Sequence, residues 1–514
     1  MSRRRPFLSL ICWLGVTATT QLHAQCPNGS PPPCTRAAAH PPSPHSVAVM
    51  YLQDLSRDTA GAAVADGLTE EIIARLSQVS GLRVASRYAS LSYRGRRAAD
   101  PQQVGRDLGV HYVLDGTLRR SGEGVRAVLL ITDATNGFNV WGQTYERPMA
   151  DIFSVEDSVA IHVAQVVLGE LNTGQRARLA PAAASASSDA YQAYLKGRVA
   201  IRARTAAAAS IAVARYREAI ALDPRFVRAW AGLAQALALA RDWGWAITGV
   251  APDSMQPITE LAARQALTLD STSADSWLAA AMAMRPADVR QALVLHRRAL
   301  AIDSASVEVI HQLAWGFLAN GELDSAIAFE RRAIAHDPYY AYAYAGLGEM
   351  LNVAGQPAEA LAALAQGLAV DSTNAPLYWQ QADALLRLGR VTESQAAADR
   401  AAALGFDAVG VRLLGAITRL RGGDTAKVRA ELPDLDRTVD ADLVRSRGGL
   451  AYTTCGVLSG LHAQLGDVEG AVHWAENVAD WPRHFYAVEF SRHWFWDPVR
   501  GDPRFQTFLA SLRR

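Results

Sequence analysis

The sequence predicts a small α/β domain with a mixed sheet followed by an all-α solenoid of stacked helical hairpins, mainly helical overall. Two patterns carry that reading. Between Val47 and Leu171, short apolar runs of strand type alternate with apolar residues at helical spacing, and from residue 189 onward the chain repeats itself at intervals of 34. Size agrees, because 514 residues, 50% of them hydrophobic, hold about three domain equivalents.

Composition excludes several classes. The formal net charge of +1 lacks the basic excess of a nucleic-acid protein, so no nucleic-acid partner is expected. Lys196 and Lys427 are the only lysines, and neither stands in a G-x-x-x-x-G-K-[ST] phosphate loop.

In chain order, residues 1–24 read as a secretory signal peptide. Arg3, Arg4 and Arg5 precede an apolar run from Pro6 to Val16, and Leu22-His23-Ala24 offers a small-residue cleavage site before Gln25. An uncleaved anchor is the alternative, although the run is short for a bilayer span. No later segment reaches the roughly 18 apolar residues of a membrane helix, so no stable membrane span is expected in the mature chain. The predicted location is exported, periplasmic or associated with the cell envelope.

Residues 25–45 form a Cys/Pro-rich linker. Cys26 and Cys34 are a candidate disulfide, since an oxidising compartment would let the pair close a loop around Asn28-Gly29. Two free thiols in a disordered stub, or a lipid anchor on Cys26, are the alternatives. Cys455, far away in a helical pattern, reads as a small packing residue.

The α/β domain is assigned to residues 46–175. Val47 to Leu52 is a buried strand, and Leu68, Ile72, Ile73 and Leu76 follow at helical spacing. A second strand spans Leu82 to Ala85, and Pro101 opens a helix that Gly109 stops. His111 to Arg120, Val125 to Thr132 and Val140 to Glu146 are strands joined by turn-type links. A helix from Ile152 to Leu171 closes the domain. The predicted sheet is parallel through two crossovers and then antiparallel.

Five blocks in this region resemble, in order, the TolB-like amino-terminal domain. They are Ser46-Val47-Ala48-Val49, Ala65-Asp66-Gly67-Leu68-Thr69-Glu70-Glu71-Ile72, Leu82 to Arg87, Asp107 to Gly116, and Val140-Trp141. Met50-Tyr51-Leu52-Gln53 departs from the Leu-Pro-Phe or Leu-Tyr-Phe common in that family. Such domains often precede helical repeats or sit on the exported side of bacterial kinases and regulators. The resemblance implies a noncatalytic envelope or signalling module and supplies no catalytic residue.

The Ala65 to Glu71 block has an adequate structural reading: Thr69 as a cap, with Glu70 and Glu71 near a helix start where they complement the dipole. Asp66 and Glu70 are kept as candidate partner contacts. Arg94, Arg96 and Arg97 around Gly95 read as a solvated basic loop in preference to an anion site.

Residues 176–188 are a linker, and the repeats occupy residues 189–480. Asp270, Asp303, Asp337 and Asp371 lie 33, 34 and 34 apart, each ending a helix-like run. Small residues at Ala266, Ala299, Ala333, Gly367 and Ala401 keep the period, and large ones at Trp230, Trp277, Ile310, Tyr344 and Tyr378 open the next units. This is the tetratricopeptide pattern, in which small residues admit close helix contacts and each hairpin buries its apolar face on its neighbour. From Asp223 to Asp270 the spacing is 47, which leaves 13 residues of insertion around Trp243-Gly244-Trp245. Trp243 and Trp245 are candidate partner contacts there, the alternative being that they cover the hairpin top. From Gly422 to Arg447 the pattern thins. Residues 481–514 form an aromatic capping segment with Trp481, Phe485, Tyr486, Phe490, Trp494, Phe495 and Trp496.

No catalytic, cofactor-binding or metal-binding residue is identified, since H-E-x-x-H, G-x-S-x-G, C-x-x-C and a strand-linked G-x-G-x-x-G are all missing. His462 and His473 with Asp467 and Glu469 read as exposed surface. The leading function is a non-enzymatic, exported protein–protein interaction scaffold binding unidentified protein partners through its repeats. The alternatives are a regulatory or sensor module related to the exported part of bacterial kinases or cyclases, and a hydrolase with an unfamiliar site. The composition shift at Pro181 to Ser188 further implies two separate cores, each folding alone.

Amino-terminal sequencing of protein recovered by cell fractionation should give Gln25 as the first residue; full-length cytoplasmic protein is the contrary result.

Overall fold

The structure is a computed structural model that describes residues 43–512 apart from 57–58, 95–99, 122–123, 180–186, 286–287, 407, 447–448, 478–489 and 492. The signal peptide, Cys26, Cys34, Arg96, Arg97, Trp481, Phe485 and Tyr486 lie outside the described residues. Among those described, no helix is long and apolar enough to cross a membrane.

The sheet contains β1 (Ser43–Val49), β2 (Gln53–Asp54), β3 (Arg83–Val84), β4 (Val110–Ser121), β5 (Gly124–Asp133) and β6 (Asn139–Pro148). Its order is β3-β1-β4-β5-β6, with β2 pairing β4. β1 is parallel to β3 and β4, whereas β4, β5 and β6 run antiparallel, as the crossovers and short turns predict. β1 begins at Ser43, inside the stretch read as linker. The period of two sorts its side chains: Val47 and Val49 join the large core and Ala48 the smaller one on the other face. Helices α1 (Thr59–Ser77) and α4 (Ile152–Leu168) cover the first face. Helices α2 (Arg87–Leu91) and α3 (Pro101–Leu108) lie between β3 and β4, and Gly109 ends α3 with φ at 64°. Helix α5 (Thr173–Leu179) occupies part of the stretch read as linker.

Among the described residues, eight helical hairpins follow. They are α6/α7 (Ser188–Ile201, Ala206–Leu222), α8/α9 (Val227–Asp242, Pro252–Leu269), α10/α11 (Ala274–Met282, Val289–Ile302) and α12/α13 (Val307–Ala319, Leu323–His336). Then come α14/α15 (Ala341–Val353, Pro357–Val370), α16/α17 (Ala375–Arg387, Val391–Ala403), α18/α19 (Ala408–Arg421, Thr425–Ser446) and α20/α21 (Gly449–Gln464, Val468–Glu476). The thin stretch after Gly422 is therefore the long helix α19, which buries Val428, Leu435 and Val439 at helical spacing.

The aspartate column has one mechanical role. Asp223, Asp270, Asp303, Asp337 and Asp371 each leave the helix in extended backbone. Each carboxylate then accepts the N–H two residues on, at 2.8 to 3.1 Å, which turns the chain into the next hairpin. At four of these five turns the large residue opening the next unit locks the turn. The indoles of Trp230 and Trp277 and the hydroxyls of Tyr344 and Tyr378 each donate to the carbonyl six residues back. Gly321, Gly355, Gly389 and Gly423 sit 34 apart at the hairpin turns with φ between 73° and 90°, a region that favours glycine.

The last units close on aromatics. Phe490, Phe495, Trp496, Phe505 and Phe508 are buried against α20 and α22 (Pro503–Leu512), and Cys455 is buried among them. His462 is not surface, contrary to the sequence reading. Its ring is buried, with Nδ1 2.7 Å from Asp467 and Nε2 2.9 Å from Asp436, which also accepts the Trp474 indole N–H. Asp436 comes from α19, so sequence spacing could not show this sandwich. Burial lowers the His462 pKa, but the two carboxylates outweigh it and raise it overall.

Ala333 and Ala360 are fully buried at helix–helix contacts. Replacing either with Leu should destabilise by about 1–3 kcal/mol through overpacking. Thermal unfolding unchanged in both variants would contradict the packing.

Candidate functional site

The α/β domain is not an independent bead. One apolar core runs without a break from the strands through α1 and α4 into α6, α7, α8, α9 and α10, so the expectation of two separate cores is corrected. The cause is the face of α1 that carries Asp66, Gly67, Glu70 and Glu71. Because α1 begins at Thr59, this block is mid-helix and neither caps nor starts it. Thr69 instead donates to Ala65 O and accepts from Leu52 N–H.

Each residue of the block meets the first hairpins. A Cβ at Gly67 would fall 2.4 Å from Leu195 of α6, so glycine alone admits that contact. The Asp66/Glu70 spacing of four matches Arg198 on α6 and Arg202, four residues on and just past the end of that helix. Arg198 lies 3.1 Å from Glu70 and pairs with Glu71, and Arg202 pairs with Glu70. Arg228 of α8 reaches Glu71 at 2.5 Å, and Arg94 reaches Asp66 at 2.7 Å. The Tyr51 hydroxyl donates to Glu70 at 2.7 Å. Burial alone would raise the Glu70 pKa, but Arg198, Arg202 and Arg87 hold it down at about 2. Glu156 behind them has no such surplus of cations. Burial, then Glu71, pushes its carboxyl well up, and the Tyr191 hydroxyl contacts it.

A second contact lies farther along the array. Arg87 of α2 lies 2.5 Å from Glu308 on α12 and 2.6 Å from the Tyr88 hydroxyl. The Tyr88 ring packs 4.8 Å from Tyr340, and Arg204, after α6, lies 4.0 Å over the ring of Tyr342 on α14. Arg204 is the only non-glycine with positive φ among the described residues, at 45°, a strain held by its surroundings. Behind Tyr340, His311 stacks edge-on at 5.3 Å and lies 2.8 Å from Glu330. Burial holds the His311 pKa down at about 3 and pushes the Glu330 carboxyl well up.

Between the two contacts runs a cleft of about 2200 Å³. The α/β domain contributes Arg83, Arg87 and Tyr88, and the array contributes Gln235, Asp275, Asp303, Glu308, Gln312, Asp337 and Tyr340. Asp337 is buried in this wall, and burial pushes its carboxyl up to about 6. The cleft can bind and orient a polar segment. Among the described residues, no group of three or more His, Cys, Asp or Glu side chains is placed to hold a metal ion.

The candidate partner contacts thus separate. Asp66 and Glu70 are buried against the chain's own array, Glu70 on the cleft wall. Trp243 and Trp245 lie outside the cleft lining, with their rings 5.5 Å apart, and Trp243 meets Phe406 edge-on at 5.9 Å. Ile247 and Val250 of the same insertion are buried, so the insertion covers its hairpin. Sequence reasoning missed Arg87, Tyr88, Arg198, Arg202, Arg204, Arg228, Glu308, Tyr340 and Tyr342. The matching i,i+4 spacings of Asp66/Glu70 and Arg198/Arg202 were the readable signal.

No family model matches the chain. The putative adenylate cyclase 3 of Rhizobium meliloti (strain 1021) is 30% identical over 243 residues, 47% of this chain, and the match spans 40% of that relative's length. Among solved structures, PilF of Pseudomonas aeruginosa matches with TM-score 0.33 and 19% identity, covering 42% of this chain and 92% of PilF. IFIT1 solved with Gppp-AAAA matches at TM-score 0.41 and 12% identity over 64% of this chain and 87% of IFIT1. YrrB, a TPR protein with an unusual peptide-binding site, matches at TM-score 0.26 and 16% identity over 37% of this chain and 92% of YrrB. The assignment of the repeat array rests on its own 34-residue geometry.

Replacing the buried Glu70 with Gln leaves the half-buried guanidiniums of Arg198 and Arg202 undercompensated and should cost on the order of 3 kcal/mol. Because its folded pKa lies below the unfolded value of about 4.3, Glu70 contributes stability that is complete above that pH. The contribution is lost as pH falls toward the folded value of about 2. Denaturant titrations from pH 5 to pH 2 should show a weaker acid dependence for E70Q than for the wild type, and equal slopes would contradict this assignment.

Proposed function

We propose that this chain is a non-enzymatic, exported interaction scaffold whose binding surface is the cleft between the α/β domain and the inner surface of the repeats. The observation that carries the reading is the cleft itself. It is large enough for an extended peptide, and its walls carry tyrosines, glutamines and both signs of charge. An array of stacked hairpins supplies continuous surface without chemistry of its own. The TolB-like resemblance supports an envelope location and a sensing role for the α/β domain, whose position on the inner surface couples it to whatever the cleft holds.

The match to a putative adenylate cyclase favours a second reading, in which the chain acts as a regulatory module related to such enzymes and works with a partner.

Photo-crosslinking residues introduced at Gln235 and Gln312, inside the cleft, should yield protein adducts in envelope fractions. The same residues at Ile211 and Val294, exposed and outside the cleft lining, should not. Adducts from the outer positions alone would overturn the cleft as the binding surface. The pure chain should form no cyclic AMP from ATP, and cyclic AMP formation would overturn the non-enzymatic reading.

A further inference from the structure

We infer that Glu308, Tyr340 and Tyr342 form a receptor for a basic–aromatic segment, that the chain's own Arg87-Tyr88 occupies it as a latch, and that a partner segment of that chemistry displaces the latch. The inference rests on the cleft being the binding surface and names what binds there.

Three observations support it. First, the surface already holds guanidinium groups from two separate places. Arg87 engages Glu308 with the Tyr88 ring against Tyr340, and Arg204 lies over the Tyr342 ring. Recognition of a cation beside an aromatic is therefore what these side chains do. Second, the two attachments of the α/β domain differ in kind. Glu70 and Glu71 are 1% and 4% exposed within the continuous core, whereas the Arg87 and Glu308 side chains remain 27% and 31% exposed beside the open cleft. A half-wet ion pair is worth little and exchanges readily, and a buried network is costly to break. The latch can open while the α1–α6 attachment stays. Third, Tyr340 lines the cleft, is fully buried, and its hydroxyl has no hydrogen-bond partner. The latch leaves that polar atom unsatisfied, and a longer ligand would reach it. Asp275, Asp303 and Asp337 continue the acidic wall beside Glu308, so further basic residues on the partner gain as well.

The test uses the full chain and a fluorescent ten-residue peptide copying residues 83–92, Arg-Val-Ala-Ser-Arg-Tyr-Ala-Ser-Leu-Ser. In anisotropy titrations the R87A/Y88A variant, with the receptor vacated, should bind the peptide about tenfold or more tightly than the wild type, because the competing latch is gone. Adding E308Q should abolish the gain. A peptide with both arginines replaced by glutamate should not bind, and equal or tighter binding of that acidic peptide would overturn the basic–aromatic assignment. Equal affinity of wild type and R87A/Y88A for the native peptide would overturn the latch. Hydrogen exchange on the wild-type chain tests displacement without any variant. Saturating peptide should speed exchange in residues 87–92 and leave α1 unchanged, and no change in 87–92 would overturn displacement. Failure of these measurements with crosslinks still forming at Gln235 and Gln312 would leave the cleft as the scaffold's site and remove only its proposed ligand chemistry.

Discussion

The arrangement of this molecule depends on a buried exchange of charge between Glu70 and Glu71 on α1 and Arg198, Arg202 and Arg228 on the first two hairpins. Apolar contact alone would let the sheet domain slide over the array. Charges that must all find partners allow one register, since any other leaves a carboxylate or a guanidinium desolvated and alone. Gly67 supports the same register sterically, because a side chain there would collide with Leu195. The result is a core that ignores the boundary between the domains.

With the first hairpin fixed, the curvature of the array determines what the α/β domain can reach. The repeated turns, each set by an aspartate and most of them locked by an aromatic, bring α12 and α14 round to α2. The same curvature sets Trp243 of the second hairpin against Phe406, after the sixth. The cleft is thus a product of the buried α1–α6 attachment, the half-exposed Arg87–Glu308 contact and the bend between them. Its chemistry comes from the acidic and aromatic side chains along its walls, Glu308 and Tyr340 among them.

The insertion and the carboxy-terminal aromatics serve the array's integrity. Ile247 and Val250 cover one hairpin, and Phe490, Phe495 and Trp496 cover the apolar face of α20. His462, held between Asp436 and Asp467, ties the long helix α19 to that end.

The amino-acid sequence by itself determined the elements, the mixed sheet and the repeat, because those depend on local periodicity, glycine and proline positions and the aspartate and aromatic columns. It also marked Asp66 and Glu70 as unusual. It did not reveal what they face, since Arg198 and Arg202 lie more than 120 residues away and a carboxylate reads alike whether it meets solvent, a partner or its own chain. The helix start was misjudged for a related reason: the alanine-rich turns from Thr59 carry no apolar stripe, so α1 read as beginning near its middle. Only the tertiary structure decided that the two domains share one core, that Arg87 and Tyr88 sit on the repeats, and that a cleft lies between. Those facts depend on the summed rotation of successive hairpins, a quantity that no single window of sequence contains.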